Sequence, residues 1–137
     1  MDSLEHVGCV IDTDVVIDFL EGAQYTSQLF RQLLRVGDLA ISAVTAIEVT
    51  AAARPGTEVL TRRLLDGLTT VSVTPEIAVR AGELLGTARE HGDDFDVEDA
   101  IIASTAASLN VPLVTPYAER YRSAGVHIVS GGEAATR

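Results

Sequence analysis

The stretch Val7-Gly8-Cys9-Val10-Ile11-Asp12-Thr13-Asp14-Val15-Val16-Ile17-Asp18-Phe19-Leu20 decides the fold of this chain. Its first five residues form a short, continuous run rich in β-branched side chains, which reads as a buried strand. Asp12-Thr13-Asp14 then offers N-capping side chains, and Val15–Leu20 reads as a short helix stopped near Gly22.

Outward from that unit the alternation continues. Leu29, Phe30, Leu33 and Leu34 recur at helical spacing within 27–36, and Gly37 ends the helix. Leu39-Ala40-Ile41 is a second short strand. Ser42 caps a helix that carries Glu48 and runs to about Ala53, ahead of Pro55-Gly56. A helix over 58–65, a strand over 70–73 and a helix from Pro75 to about Glu90 follow, with Pro75 suited to a first helical turn. Gly92–Phe95 is a loop, and Asp96 caps a helix reaching Leu109. Strands at Leu113–Thr115 and Val126–Val129 complete the pattern. Short strands alternating with helices imply an α/β fold, a three-layer sandwich with a mainly parallel central sheet. Ligands of such sheets sit beyond the carboxyl ends of the strands, where Asp12 and Thr115 fall.

The chain has 137 residues, 47% of them apolar, enough to bury a core as one domain spanning 1–137 without disulfide or zinc staples. No run approaches the ~18 apolar residues of a membrane span and no secretion signal opens the chain, so a cytoplasmic protein without membrane contact is expected. Cys9 reads as a small buried hydrophobe. His6, His91 and His127 are isolated, and no zinc spacing appears. Twenty acids face ten bases, and every base is arginine. Such acidity opposes phosphate binding unless ambient salt screens it, as ~1 M salt does beyond roughly 3 Å. The composition resembles that of halophilic archaeal proteins; a GC-rich genome writing arginine for lysine is the plainer account. Arg54, Arg62, Arg63, Arg120 and Arg122 are the cations available to guide a nucleic acid, though any single one reads first as a surface ion pair.

Four acidic stations carry the chemistry. Asp12 closes the first strand, Glu48 lies among the apolar neighbours Val44, Ile47 and Val49, and Asp96 and Asp99 open a helix whose next residues are Ala100-Ile101-Ile102-Ala103. Each has a structural explanation: Asp12 and Asp14 as N-caps, Glu48 as part of a polar stripe with Thr45, Asp96 and Asp99 as a capping box. Yet carboxylates collected at one end of a sheet repel one another and are costly to desolvate unless a cation joins them. Mg²⁺ and Mn²⁺ prefer such oxygen ligands, and metal-assisted hydrolysis of a phosphodiester is the obvious use.

Taken in order, the apolar strand with Asp12-Thr13, Ser42-Ala-Val-Thr-Ala-Ile-Glu48, Asp99-Ala-Ile-Ile-Ala-Ser-Thr-Ala106 and Leu113-Val114-Thr115 resembles the PIN-domain ribonucleases, most of all the VapC-type toxins of toxin–antitoxin pairs. The resemblance runs from about Val10 to Val129. It implies a metal-dependent endoribonuclease with Asp12, Glu48 and Asp99 as its three catalytic, metal-binding acids and Thr115 as the hydroxyl residue closing the fourth strand. It also implies Mg²⁺ or Mn²⁺ as cofactor, RNA as substrate, a cognate antitoxin as partner, a homodimer, and products with a 5′-phosphate and a 3′-hydroxyl. The family places a further Asp or Asn two residues after that threonine; here Tyr117 stands there. Glu119 or Asp96 are the candidates for the missing oxygen, with Thr115 as a further auxiliary; failing them, the second metal is weak or absent.

Three other readings compete. Asp12-Thr13-Asp14-Val15-Val16 fits the opening motif of a haloacid-dehalogenase-type phosphatase, and Gly92-Asp93-Asp94 echoes its late acidic motif. A receiver domain needs a lysine that this chain lacks. A catalytically weak PIN-fold binding module is kept open by Tyr117. The apolar residues Leu29, Phe30, Leu33 and Leu34 read either as a groove for an antitoxin helix or as plain core.

Overall fold

The computed structural model describes residues 3–130. The ends of the expected 1–137 domain, residues 1–2 and 131–137, lie outside the described residues. A 3-10 turn at Ser3–His6 leads into β1 (Val7–Ile11), followed by α1 (Thr13–Leu20), α2 (Gln24–Leu34), β2 (Asp38–Ser42), α3 (Ala43–Ala52) and α4 (Glu58–Gly67). Then come β3 (Thr69–Val71), α5 (Pro75–Glu90), α6 (Val97–Leu109), β4 (Leu113–Val114), a second 3-10 turn (Ala118–Tyr121) and β5 (Ile128–Val129). The five strands make one sheet in the order β3-β2-β1-β4-β5, and every pairing is parallel. No helix among the described residues is long and apolar enough to cross a membrane.

Strand periodicity explains the three layers. Successive side chains of a strand point to opposite faces. Cys9, Ile11, Leu39, Ile41 and Val114 accordingly pack with Val15, Val16, Leu29, Phe30 and Val49 on the side of α1–α4. Val10, Ala40 and Leu113 pack with Ile77, Ile102, Ala103 and Ala106 on the side of α5 and α6. Leu29 and Phe30 are therefore core, and Phe30 stacks on Phe19 with ring centroids 4.7 Å apart. Of the four residues weighed for an antitoxin groove, only Leu34 is strongly exposed. Burial pushes the Cys9 thiol up to about 12, so it stays protonated and inert.

Boundaries differ from the sequence reading where pairing, not composition, sets them. α2 starts at Gln24, three residues earlier than expected, because Ala23 serves as N-cap without a side-chain bond and gives no capping signal. β3 ends at Val71 because its partner ends first: Ser42 pairs with Val71, and the chain of β2 turns into α3 at Ala43. Ser72 and Val73 have nothing to pair with on that edge. β5 shrinks to the two residues that face the two of β4.

At the amino ends of the strands β1 and β2 approach unusually closely. A Cβ on Gly8 would meet the Gly37 nitrogen at 2.9 Å, and one on Gly37 would meet the His6 carbonyl at 2.7 Å. The two glycines permit a contact between backbones that no side chain would allow.

Candidate acidic site at the switch point of the sheet

In the strand order, β2 and β3 continue from β1 to one side and β4 and β5 lie to the other, so the order reverses between β1 and β4. The crevice beyond that point is where such sheets bind ligands. Asp12 leaves β1 there, and Thr115 leaves β4 beside it. The Thr115 hydroxyl donates to Asp12 Oδ2 at 2.7 Å, while Asp12 Oδ1 accepts the Thr13 N–H at 2.8 Å and so caps α1. Asp12 is only 4% exposed. Burial raises its carboxyl above the ordinary range, against the opposing bonds from Thr115 and Thr13.

Asp99 arrives from the other side of the crevice. It closes the capping box of α6: its Oδ2 accepts the Asp96 N–H at 3.0 Å, and Asp96 Oδ1 accepts the Asp99 N–H at 2.9 Å. The capping reading of this pair is thus correct in geometry, and it also holds Asp99 facing inward at 7% exposure. Burial, followed by the charge of Asp96, pushes its carboxyl up to about 6, although the Asp96 N–H bond and Arg120 pull the other way.

Glu48 completes the ring from α3. Its Oε1 accepts the Thr13 hydroxyl at 2.8 Å, and Thr13 Oγ1 lies 2.9 Å from Thr45 Oγ1. Thr45 and Glu48, three residues apart, share one helix face, so the polar stripe of α3 points into the crevice. Partial burial and the neighbouring charges of Glu98 and Asp96 raise Glu48, with the Thr13 bond opposing. Asp12, Asp14, Glu48, Asp96, Glu98 and Asp99 line a cavity of about 120 Å³, and Arg120 is the one cation on its wall. Six carboxylates against one guanidinium leave a strongly negative enclosure.

Two members of this site, Tyr121 and Glu98, escape the sequence patterns, and a third, Arg120, is announced there only as a candidate guide for nucleic acid. The Tyr121 hydroxyl stands between the two buried aspartates, 3.2 Å from Asp12 Oδ2 and 3.4 Å from Asp99 Oδ1, with a single proton to offer both. Tyr121 is 1% exposed, and its ring meets Phe95 edge-on. Arg120 Nη1 lies 3.7 Å from Asp99 Oδ1. Glu98 belongs to the acids, and its place inside a capping motif gives it no separate signal. Tyr121 lies 109 residues from Asp12 in sequence, on a 3-10 turn that no capping or apolar pattern announces. An aromatic directly after the charged pair Glu119-Arg120 is its only signal.

Of the two candidates for the missing oxygen, Asp96 lines the cavity and Glu119 does not. Glu119 is exposed and pairs with Arg122 at 3.1 Å. Thr115 acts through Asp12 rather than on the cavity wall. Tyr117 is exposed, and its N–H donates to Thr115 Oγ1 at 3.1 Å. Arg54 and Arg62 pair with Glu21 and Asp66 on the surface.

The donor set suits a hard divalent cation: all oxygen, clustered, and too negative to be stable unaided. The distances are less complete. Among the described residues no three His, Cys, Asp or Glu side chains converge closely enough to form a metal shell as they stand. Tyr121 occupies the space between Asp12 and Asp99, and Thr13 holds Glu48 aside. Buried side-chain polar atoms among the described residues are all hydrogen-bonded.

The phosphatase reading fails here. Gly92-Asp93-Asp94 follows helix α5 rather than a strand, and Asp93 is bonded to Arg122 and Ser123, outside the acidic cavity.

Comparison with known proteins agrees with this geometry. No curated protein matches the chain. Among solved structures, a toxin–antitoxin complex from Klebsiella pneumoniae is 25% identical with a TM-score of 0.70, covering 90% of this chain and 98% of that one. VapBC-5 of Mycobacterium tuberculosis is 27% identical with a TM-score of 0.63 over the same shares, 90% and 98%. VapBC-1 of nontypeable Haemophilus influenzae, at 16% identity, shares the fold with a TM-score of 0.77 over 92% of this chain and 98% of that chain. The PIN domain family model matches residues 9–123, a span that holds all six carboxylates of the cavity together with Arg120 and Tyr121, and the chain therefore belongs to the PIN domain family.

Proposed function

We propose that this chain is a Mg²⁺- or Mn²⁺-dependent endoribonuclease and the toxin of a toxin–antitoxin pair. The observation that carries the reading is the burial of Asp12 and Asp99 on facing sides of a six-carboxylate cavity at the switch point of a PIN fold. Burial raises both carboxyls, with the charge of Asp14 adding to Asp12 and that of Asp96 to Asp99, and such groups persist where a cation serves them.

Asp12 and Asp99 would hold the ion, with Glu48 as third ligand or as a base acting through water and Asp96 as auxiliary. The ion supplies Lewis-acid charge on the phosphate and acidifies water. The chain's residues do the remainder. Thr115 and the Thr13 N–H fix the rotamer of Asp12, and the capping box fixes Asp99. Thr45 orients the Thr13 hydroxyl, which in turn steers Glu48. Arg120 places a positive charge at the edge of the site, where a phosphate approaching the acids meets it. No histidine or covalent nucleophile is needed, and the cut leaves a 5′-phosphate and a 3′-hydroxyl. A toxin acting on the cell's own RNA would work in the cytoplasm.

Partners follow from the same reading. The similar complexes from Klebsiella and Mycobacterium pair a toxin with an antitoxin. Here a groove among α1, α3 and α4, where Ile17, Leu20, Val49 and Leu60 line the wall together with Glu21 and Arg54, is the candidate seat for an antitoxin helix, the α2 residues Leu29 and Phe30 being core. A second apolar groove between α5 and α6, with Val73, Val97 and Ile101, is suited to the partner copy of a homodimer.

Purified protein should cut single-stranded RNA with Mg²⁺ or Mn²⁺ and stop with EDTA. The binding-module reading draws on one observation: Asp12 and Asp99 are already partnered by hydroxyls and N–H groups. Protein that binds an antitoxin but neither Mn²⁺ nor RNA would establish it.

A further inference from the structure

A cleft of about 580 Å³ adjoins the acidic cavity and shares Arg120 with it. That volume falls in the ~300–1,000 Å³ range of small-molecule sites. Its wall carries Tyr117, the residue standing where the family usually has a fourth acid. The Arg120 guanidinium lies over the Tyr117 ring, 4.7 Å from its centroid, and Tyr117 is 42% exposed. An aromatic ring held by a cation and still open to solvent is half of a stack.

The ring is also tied to the acids. The Tyr117 N–H donates to Thr115 at 3.1 Å, and Thr115 donates to Asp12 at 2.7 Å. Arg120 reaches from the same ring to Asp99, 3.7 Å away. Two short routes thus fix Tyr117 against both buried aspartates.

The charge of the cleft selects its occupant. Arg122 donates to Asp93 at 3.0 Å and to Glu119 at 3.1 Å, which spends its guanidinium on internal pairs. Asp94 adds another negative charge to the wall. A phosphate is poorly served there, whereas an uncharged flat ring that stacks on Tyr117 is well served.

We propose that Tyr117, clamped by Arg120, is a stacking platform for an unpaired nucleobase next to the phosphodiester that the acids address. The identity of that ligand rests on the nuclease reading above. The platform makes this chain select single-stranded RNA, because a base in a duplex already stacks on its neighbours and cannot enter the cleft.

The test uses a short oligoadenosine with methylphosphonate linkages, which is uncharged and resists cutting, so only base contacts are read. The chain has no tryptophan, and its tyrosine fluorescence is directly visible. Wild type should be quenched saturably. Tyr117→Leu should bind a dye-labelled form of the same probe about five- to 100-fold more weakly, the usual loss for one stacked base, and Tyr117→Phe should retain the affinity. Equal binding by Tyr117→Leu and wild type, or no binding by either, overturns the platform. RNA cutting with Mn²⁺ is assayed separately: stacking without cutting removes the nuclease reading and leaves the platform standing, and cutting without Tyr117-dependent binding does the reverse.

Discussion

The two ends of the sheet hold cavities of opposite character. At the amino ends of β4 and β5 a cavity of about 690 Å³ opens among Thr87, Asn110, Pro112, Val126 and His127, with Arg80 and Glu83 as charged residues on its wall. At the carboxyl ends the acidic cavity holds only about 120 Å³, yet six carboxylates border it. The larger space is built from helix ends and turn residues: Asn110 takes the left-handed conformation that closes α6, at φ 56. The smaller is built from groups that cost free energy to bury. Volume therefore does not mark the proposed site, and unfavourable burial does. The backbone contact of Gly8 with Gly37 belongs to the structural end, and the Asp12–Tyr121–Asp99 bridge to the end proposed as functional.

The contrast breaks most severely through Asp12. Asp12→Asn keeps an N-cap of equal rank, so α1 and the fold should survive, while RNA cleavage falls by about 100-fold or more. Full activity in the variant would separate the acids from the chemistry. The opposite end gives the opposite pattern. Gly37→Ala drives a Cβ into the His6 carbonyl and should destabilise the chain by about 1–3 kcal/mol in urea melts. Cleavage per folded molecule should stay at the wild-type level.

A pH series sharpens the comparison. Burial pushes Asp99 up to about 6, so the folded chain holds this proton more tightly than the unfolded chain does. Stability without metal should be highest below the ordinary carboxylate range and fall as pH rises through about 6. Asp12 and Glu48 are raised as well and act in the same direction. Thermal melts in EDTA should show this slope, and Mn²⁺ should flatten it. A flat profile in EDTA would mean that these carboxylates are not destabilised by burial.

How much of this was legible in the chain follows from where each signal lives. The strand-to-helix turn at Asp12 is local, and so are the caps at Ser42 and Asp96, so the elements could be read from neighbours in sequence, while Glu48 and Asp99 fitted capping or a polar stripe as well as a site until the family resemblance joined them to Asp12. Tyr121 and Arg120 reach the crevice only because a 3-10 turn folds back after β4, which no periodicity encodes. Glu98 was hidden inside a capping motif that explains acids without needing a site. Ends of β3 and β5 depended on how far their partners ran. The α2 residues Leu29 and Phe30 fitted core and groove equally, since an apolar stripe does not say which neighbour covers it.

The smallest expected effect concerns the exposed arginines of α4. Arg62 pairs with Asp66, and neither Arg62 nor Arg63 lines the acidic cavity. Changing both to Gln should alter RNA affinity by less than about twofold and leave its salt slope nearly unchanged, as expected for surface pairs. A clearly flatter slope would extend the RNA path onto α4.

Calorimetric titration of Mn²⁺ tests the central claim most directly. With Tyr117 in place of a fourth acid, wild type should bind one ion per chain, Asp12→Asn should bind none, and Tyr117→Asp should bind more tightly or take a second ion. Binding that is absent from wild type, or unchanged in Asp12→Asn, would contradict the assignment of the carboxyl-end acids as a metal site.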